Sequence, residues 1–117
     1  MNIIRARLDG HLTVESVRQA LAEIGREFTR AKSCILIDMT GVNVFEMDTK
    51  PVIIKWINRR QKRIEKIAVI TMHIAWDVLI SAIQSEVKVR TIAFNSEAEA
   101  AKWISTPSPG SGSRYGG

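Results

Sequence analysis

The chain of 117 residues holds one cysteine, Cys34. A single thiol cannot close an internal disulfide or build a cysteine-rich metal site, so neither device supports this fold. No stretch approaches the ~20 uninterrupted apolar residues of a membrane span. The opening Met1-Asn2-Ile3-Ile4-Arg5 has no long apolar segment followed by a small-residue cleavage site, and a cytoplasmic protein is expected. Also missing are G-x-S-x-G, H-E-x-x-H, the P-loop and G-x-G-x-x-G. With neither a catalytic motif nor a cofactor motif, the sequence reads as a non-enzyme that needs no cofactor and no metal.

What is present is ordinary for a globular domain: 45% hydrophobic and 25% charged residues. At this length one core is expected and two are not. The net charge is +5, and much of the excess lies in Arg59-Arg60-Gln61-Lys62-Arg63-Ile64-Glu65-Lys66. On a helix, Lys55, Arg59, Lys62 and Lys66 share one face, with Ile53, Ile57 and Ile64 roughly opposite. The stripe reads as a solvated helix face, with a phosphate-binding stripe as the sharper alternative; against that alternative, no aromatic interleaves with these cations and no nucleic-acid motif is present. Arg60 falls near the apolar side and must leave the core, snorkel or find a partner.

Along the chain, Ile4, Ala6 and Leu8 alternate as one face of a first strand, closed by Asp9-Gly10. Thr13 is a helix cap, Glu15 suits the positive first turn, and Leu12 with Val17 fits a hydrophobic staple. Val14, Val17, Leu21, Ile24 and Phe28 then predict an amphipathic helix to about residue 30. Residues 34–39, CILIDM, predict a strand buried on both faces, and residues 40–45 a loop. A second helix is expected over residues 48–63, with Pro51 in its first turn. A strand over 66–71, a helix over 75–84, a strand within 87–94 and a helix opened by Ser96 and Glu99 complete the series. The order is βαβαβαβα: one α/β domain over residues 1–105, with a four-stranded, mainly parallel sheet and four helices. Residues 106–117, rich in glycine, serine and proline, are expected to form a disordered tail.

Several stretches carry a family resemblance. They are Asp9-Gly10-His11-Leu12-Thr13, Ile37-Asp38-Met39-Thr40-Gly41-Val42, Lys66-Ile67-Ala68-Val69-Ile70, and a closing Phe94-Asn95-Ser96-Glu97-Ala98-Glu99-Ala100-Ala101-Lys102-Trp103-Ile104. Together they resemble the STAS domain of anti-sigma-factor antagonists, and the last is similar to the end of the SpoIIAA-like branch, which is often grouped with CRAL-TRIO lipid-binding domains. The resemblance implies a βα superhelix and a non-enzymatic, regulatory protein-binding module, with a lipid or apolar small-molecule binder as the alternative. It implies another protein as partner, of the kinase-like or sigma-factor-regulator kind, and leaves a homodimer open.

In the antagonists an Asp-Ser-Ser-Gly stretch opens the helix after the second strand, and a serine there is phosphorylated. Here the stretch is Phe45-Glu46-Met47-Asp48-Thr49-Lys50, with no serine pair and no glycine. One register sets Glu46 on the aspartate and Asp48 on a serine; a register shifted by two sets Asp48 on the aspartate and Thr49 on the first serine. A fixed acidic entrance without the phosphoserine switch is therefore expected, and Thr49 is the one rival phosphosite.

In an open parallel sheet, ligands sit beyond the carboxyl ends of the strands. The expected partner surface there comprises Asn43, Glu46, Asp48, Thr49, Met72, His73 and Trp76. Trp56, Trp76 and Trp103 read first as core residues; residues 72–76 are also apolar for a connector, a candidate partner or ligand surface, where Trp76 is placed to line an apolar pocket or contact a membrane interface. His11 and His73, the only histidines, face the same rim, and Asp38 reads as an acceptor for loop amides. Cys34 reads as an inert core thiol.

Overall fold

The computed structural model describes residues 2–106. Its elements are β1 (Asn2–Leu12), α1 (Val14–Arg26), β2 (Ser33–Phe45), α2 (Thr49–Arg59), a 3₁₀ turn (Gln61–Arg63), β3 (Ile64–Ile70), α3 (Ile74–Gln84), β4 (Arg90–Phe94) and α4 (Glu97–Ser105). The four strands lie in the order β1-β2-β3-β4, and every pair is parallel. Each crossover advances one strand in the same direction, so right-handed connections set α1, α2 and α3 on one face. Because the order never reverses, the sheet has no switch-point crevice of the kind that holds ligands in doubly wound folds.

The alternation of side chains explains the two cores. Ile35 and Met39 of β2 and Ile67 and Val69 of β3 join Val17, Leu21, Ile24, Ile57, Ile80 and Ile83 under the three helices. Their neighbours Cys34, Leu36, Ala68 and Ile70 face the other way and meet Ala100 and Ile104 of α4. α4 lies against β2, β3 and β4. The corresponding face of β1 carries Ile3, Arg5 and Arg7, all exposed. Trp56 and Trp76 pack on the larger core and Trp103 on the smaller.

Thr13 caps α1 as expected: its side chain accepts from the Ser16 amide at 3.1 Å, while Ser16 Oγ accepts from the Thr13 amide at 2.9 Å. Other boundaries differ from expectation. α1 stops at Arg26, and Phe28 turns in to meet Trp56, with ring centroids 5.9 Å apart. β4 falls within the expected stretch, and Asn58 holds the loop before it, accepting from the Lys88 amide at 2.9 Å and donating to the Glu86 carbonyl at 3.0 Å.

The cationic stripe requires a correction. The expected helix over 48–63 ends at Arg59, so of the stripe only Lys55 and Arg59 share a helix; Lys62 lies in the 3₁₀ turn, and Lys66 belongs to the expected third strand. It sits in β3, and the period of two points it, with Ala68 and Ile70, at α4. The residue is 2% exposed. Its ammonium donates to the carbonyls of Trp103 (2.7 Å) and Thr106 and lies 4.6 Å from the Trp103 ring centroid. A helix C-terminus leaves carbonyls unpaired and partly negative, and a buried cation answers both. Thr106, the first residue of the expected tail, is thereby tied to the domain; residues 107–117 lie outside the described residues.

Candidate functional site

The main departure from the sequence reading concerns residues 40–45, expected as a loop. They continue β2 and pair with an extended β1, so Asp9-Gly10 does not end the first strand. Pairing runs regularly from Asn2↔Ser33 to Arg7↔Asp38, then resumes at Asp9↔Gly41 and again at His11↔Val44. β2 thus holds one extra residue in each interval, which makes two bulges.

Local chemistry stabilises the first bulge. Asp38 Oδ1 accepts from the Thr40 amide at 2.9 Å and the Thr40 hydroxyl at 2.6 Å, while Oδ2 accepts from Arg7 Nη1 at 3.1 Å. Arg7 Nε also donates to Asp9 Oδ1 at 2.9 Å. Burial pushes the Asp38 carboxyl up, but the Thr40 hydrogen bonds and the Arg7 charge outweigh it and hold the group below its ordinary 3.8. Arg7 is raised above its ordinary value, first by its hydrogen bond to Asp9 and then by the two carboxylate charges. Asp9 lies over Gly41, where a Cβ would sit 2.0 Å from its carboxylate oxygen. At the second bulge Gly10 takes φ +69°, a conformation that favours glycine.

The extended β1–β2 pair reaches the far rim and carries the predicted acidic entrance. The Glu46 amide donates to the Leu12 carbonyl at 3.0 Å, and its carboxylate pairs with His11 Nε2 at 3.0 Å. Asp48 precedes α2 but makes no side-chain capping bond. Thr49 does the local work instead: its amide and hydroxyl both donate to the Glu46 carbonyl, at 3.0 and 2.6 Å. Thr49 is 0% exposed. Of the expected surface residues it alone lies beneath the surface. Asn43, at the second bulge, is exposed.

Trp76 joins this entrance to the connector before α3. Its indole Nε1 donates to the Val42 carbonyl at 3.3 Å, on the edge of β2 beyond the end of β3 pairing. Its ring lies 6.1 Å from Phe45 and 6.4 Å, edge-on, from His73. Thr71 shapes the connector, its hydroxyl accepting from the His73 amide at 3.3 Å. His11 and His73 thus go to different partners, Glu46 and Trp76. Among the described residues no three His, Cys, Asp or Glu side chains gather where a metal could bind.

Around this junction the surface is apolar. Met72 is 64% exposed, Ile74 81%, Val78 67%, Met47 68% and Val44 46%. Sequence reasoning noted the apolar connector but missed Val44, Met47 and Val78. A signal for Val78 exists: Ile74 and Val78, four apart, share a face of α3 other than that of the buried Leu79, Ile80 and Ile83. A helix apolar on both faces and covered on one leaves the other for something else.

Inside the domain, the space between the sheet and the three helices narrows to an apolar cavity of about 60 Å³, lined by residues such as Leu8, Val17, Met39 and Ile80. Ligand pockets run from roughly 300 Å³ upward. Cys34 is buried on the α4 side, and burial pushes its thiol up, away from the reactive thiolate. No described helix is long and apolar enough to cross a membrane.

A family model described as SpoIIAA-like matches residues 3–105. The chain belongs to the SpoIIAA-like family. A solved structure with a SpoIIAA-like fold, an uncharacterized protein of the DUF3478 family from Shewanella loihica PV-4, superposes with a TM-score of 0.57. It is 14% identical, and the match covers 86% of this chain and 79% of that one, a likeness of fold. No curated protein sequence matches the chain. The resemblance read from the residues and the α/β architecture are both established by these matches.

Proposed function

We propose that this SpoIIAA-like domain is a non-catalytic, regulatory protein-binding module, and that its partner docks on the rim formed by the α2 entrance and the start of α3. The carrying observation is the exposure of Met47 at the α2 entrance and of Met72, Ile74 and Val78 around the start of α3, two segments that the half-buried Trp76 joins through Val42 and Phe45. Soluble domains seldom leave such a patch bare, and an aromatic anchor ringed by apolar and polar groups is what protein interfaces use. The His11–Glu46 pair and Asp48 supply a polar border.

The buried Thr49 supports a fixed entrance rather than a phosphorylation switch. Its hydroxyl is already committed to the Glu46 carbonyl and has no solvent access. A kinase would have to open the first turn of α2 to reach it. The cavity of about 60 Å³ gives the apolar-ligand alternative little room.

The test is capture from native cell extract with the intact chain and with Ile74→Glu/Val78→Glu. Both positions are exposed, so the variant should fold and melt like the parent. The reading expects a stoichiometric partner on the parent and none on the variant. Equal capture by both would place the interface elsewhere.

A further inference from the structure

Along the α1–α2 pair, from the early turns of both helices to their C-terminal ends, a second set of side chains converges. α1 carries Arg18, Ala22 and Arg26 at intervals of four, and α2 carries Lys55 and Arg59 at the same interval. Each helix thus aligns its cations on one face. Between the two helices lie adjoining hollows of about 710 and 350 Å³ that share Leu21, Ala22, Arg59 and Arg60. Six cations line them, Arg18, Arg26, Lys55, Arg59, Arg60 and Arg63, and no acidic side chain does. The small Ala22 and Gly25 leave the room.

Two of the cations are held in place. The Arg60 guanidinium lies 4.5 Å from the Trp56 ring centroid and donates to the Trp56 carbonyl at 3.3 Å. The Arg63 guanidinium lies 5.5 Å from the Phe28 centroid and donates to the Thr29 carbonyl. A guanidinium has five N–H donors, so each keeps others for a ligand. None of the six is joined to a described carboxylate in an ion pair. Six like charges around one concavity repel one another, and an anion in it relieves that repulsion.

We propose that the α1–α2 groove binds a small molecule carrying two or more phosphate groups. Arginine forks match phosphate oxygens in pairs, and pre-positioned arginines lose little freedom in doing so. The groove's size suits a small molecule. A membrane surface fits poorly: the site is concave, and none of the exposed large apolar side chains borders it. A nucleic-acid strand fits poorly as well, because guanidinium groups already cover the Trp56 and Phe28 rings on which bases would stack. The lining of the groove shares no residue with the apolar rim, and the proposal does not depend on the rim's role.

The test is calorimetric titration of the intact chain with inorganic tripolyphosphate at fixed ionic strength, with ATP and hexaglutamate in parallel. The proposal expects one site per chain for tripolyphosphate. Arg18→Gln/Arg59→Gln, which changes two exposed residues, should weaken binding by about tenfold or more, with circular dichroism unchanged. Lys88→Gln/Lys102→Gln, outside the groove, should stay within about twofold of the parent. ATP binding more tightly than tripolyphosphate would identify a nucleotide as the ligand, and equal binding a bare polyphosphate. Equal weakening by the two double variants, no measurable binding, or hexaglutamate binding as tightly as tripolyphosphate would overturn the proposal, the last in favour of an acidic protein segment.

Discussion

Where the strands end, the surface presents Met47, Met72, Ile74 and Val78; where they begin, Arg26, Arg59, Arg60 and Arg63 face a groove. The two ends belong to one continuous βα winding, yet each collects one chemistry. The rim is made by extension: β1 and β2 run past β3 because two bulges absorb their mismatch, and Trp76 closes onto the exposed edge. The base is made by juxtaposition of cationic faces on two helices. Strand pairing carries the rim, whereas at the base cationic side chains reach across to rings and carbonyls. Disturbing buried groups should therefore cost stability, and disturbing the exposed cations or apolar groups should cost binding alone.

The largest expected effect is at the rim. Thr49→Glu puts a charge where the residue is 0% exposed and should destabilise the domain by about 3 kcal/mol or more, read by denaturant unfolding. A stable, fully folded variant would instead mark the α2 entrance as ready to open, as a phosphorylation switch requires. Next comes Lys66→Met, the buried cation of the base. Leaving the Trp103 and Thr106 carbonyls without their donor should cost about 2 kcal/mol and loosen α4, read by hydrogen exchange across residues 97–105.

Smaller effects concern the bulge. Gly41→Ala forces the Asp9 carboxylate away and breaks its contact with Arg7, for about 1 kcal/mol. Asp38 carries a pH signature. Because its folded carboxyl is held below the ordinary 3.8, the unfolded chain takes up the proton more readily. The stability it contributes is present above that value and lost as pH falls below it. Asp38→Asn should therefore lower stability by about 1 kcal/mol at neutral pH, and the gap from the parent should shrink in acid. The smallest effect is at His11–Glu46, an exposed pair: Glu46→Gln should change stability by less than ~1 kcal/mol.

The unequal legibility of the two ends has the same physical origin. Periodicity exposed the helices and the buried strands, because Val17, Leu21 and Ile24 or Ile35 and Leu36 report burial directly. The capping residues Thr13 and Ser96 were legible because the bonds they make are local. The bulged extension was not, since Thr40-Gly41 looks like a turn until Arg7, thirty-one residues away from Asp38, is beside it. The burial of Lys66 was not legible, because a cation in a run of cations looks solvated and only the end of α4 supplies its acceptors. The rim was half legible: Met72, His73 and Trp76 stood out as an apolar connector, while the exposure of Val44 and Met47 depends on where β2 ends. The groove was legible only in part: Lys55 and Arg59 stood out as a cationic stripe, while Arg18 and Arg26 come from α1.

Hydrogen–deuterium exchange of the chain alone and bound to its captured protein partner bears most directly on the division between the two ends. If the rim is the docking surface, slowed exchange should be confined to residues 44–50 and 72–78, with α1 and residues 55–63 unchanged. Protection across the α1–α2 groove with the rim unaffected would contradict it.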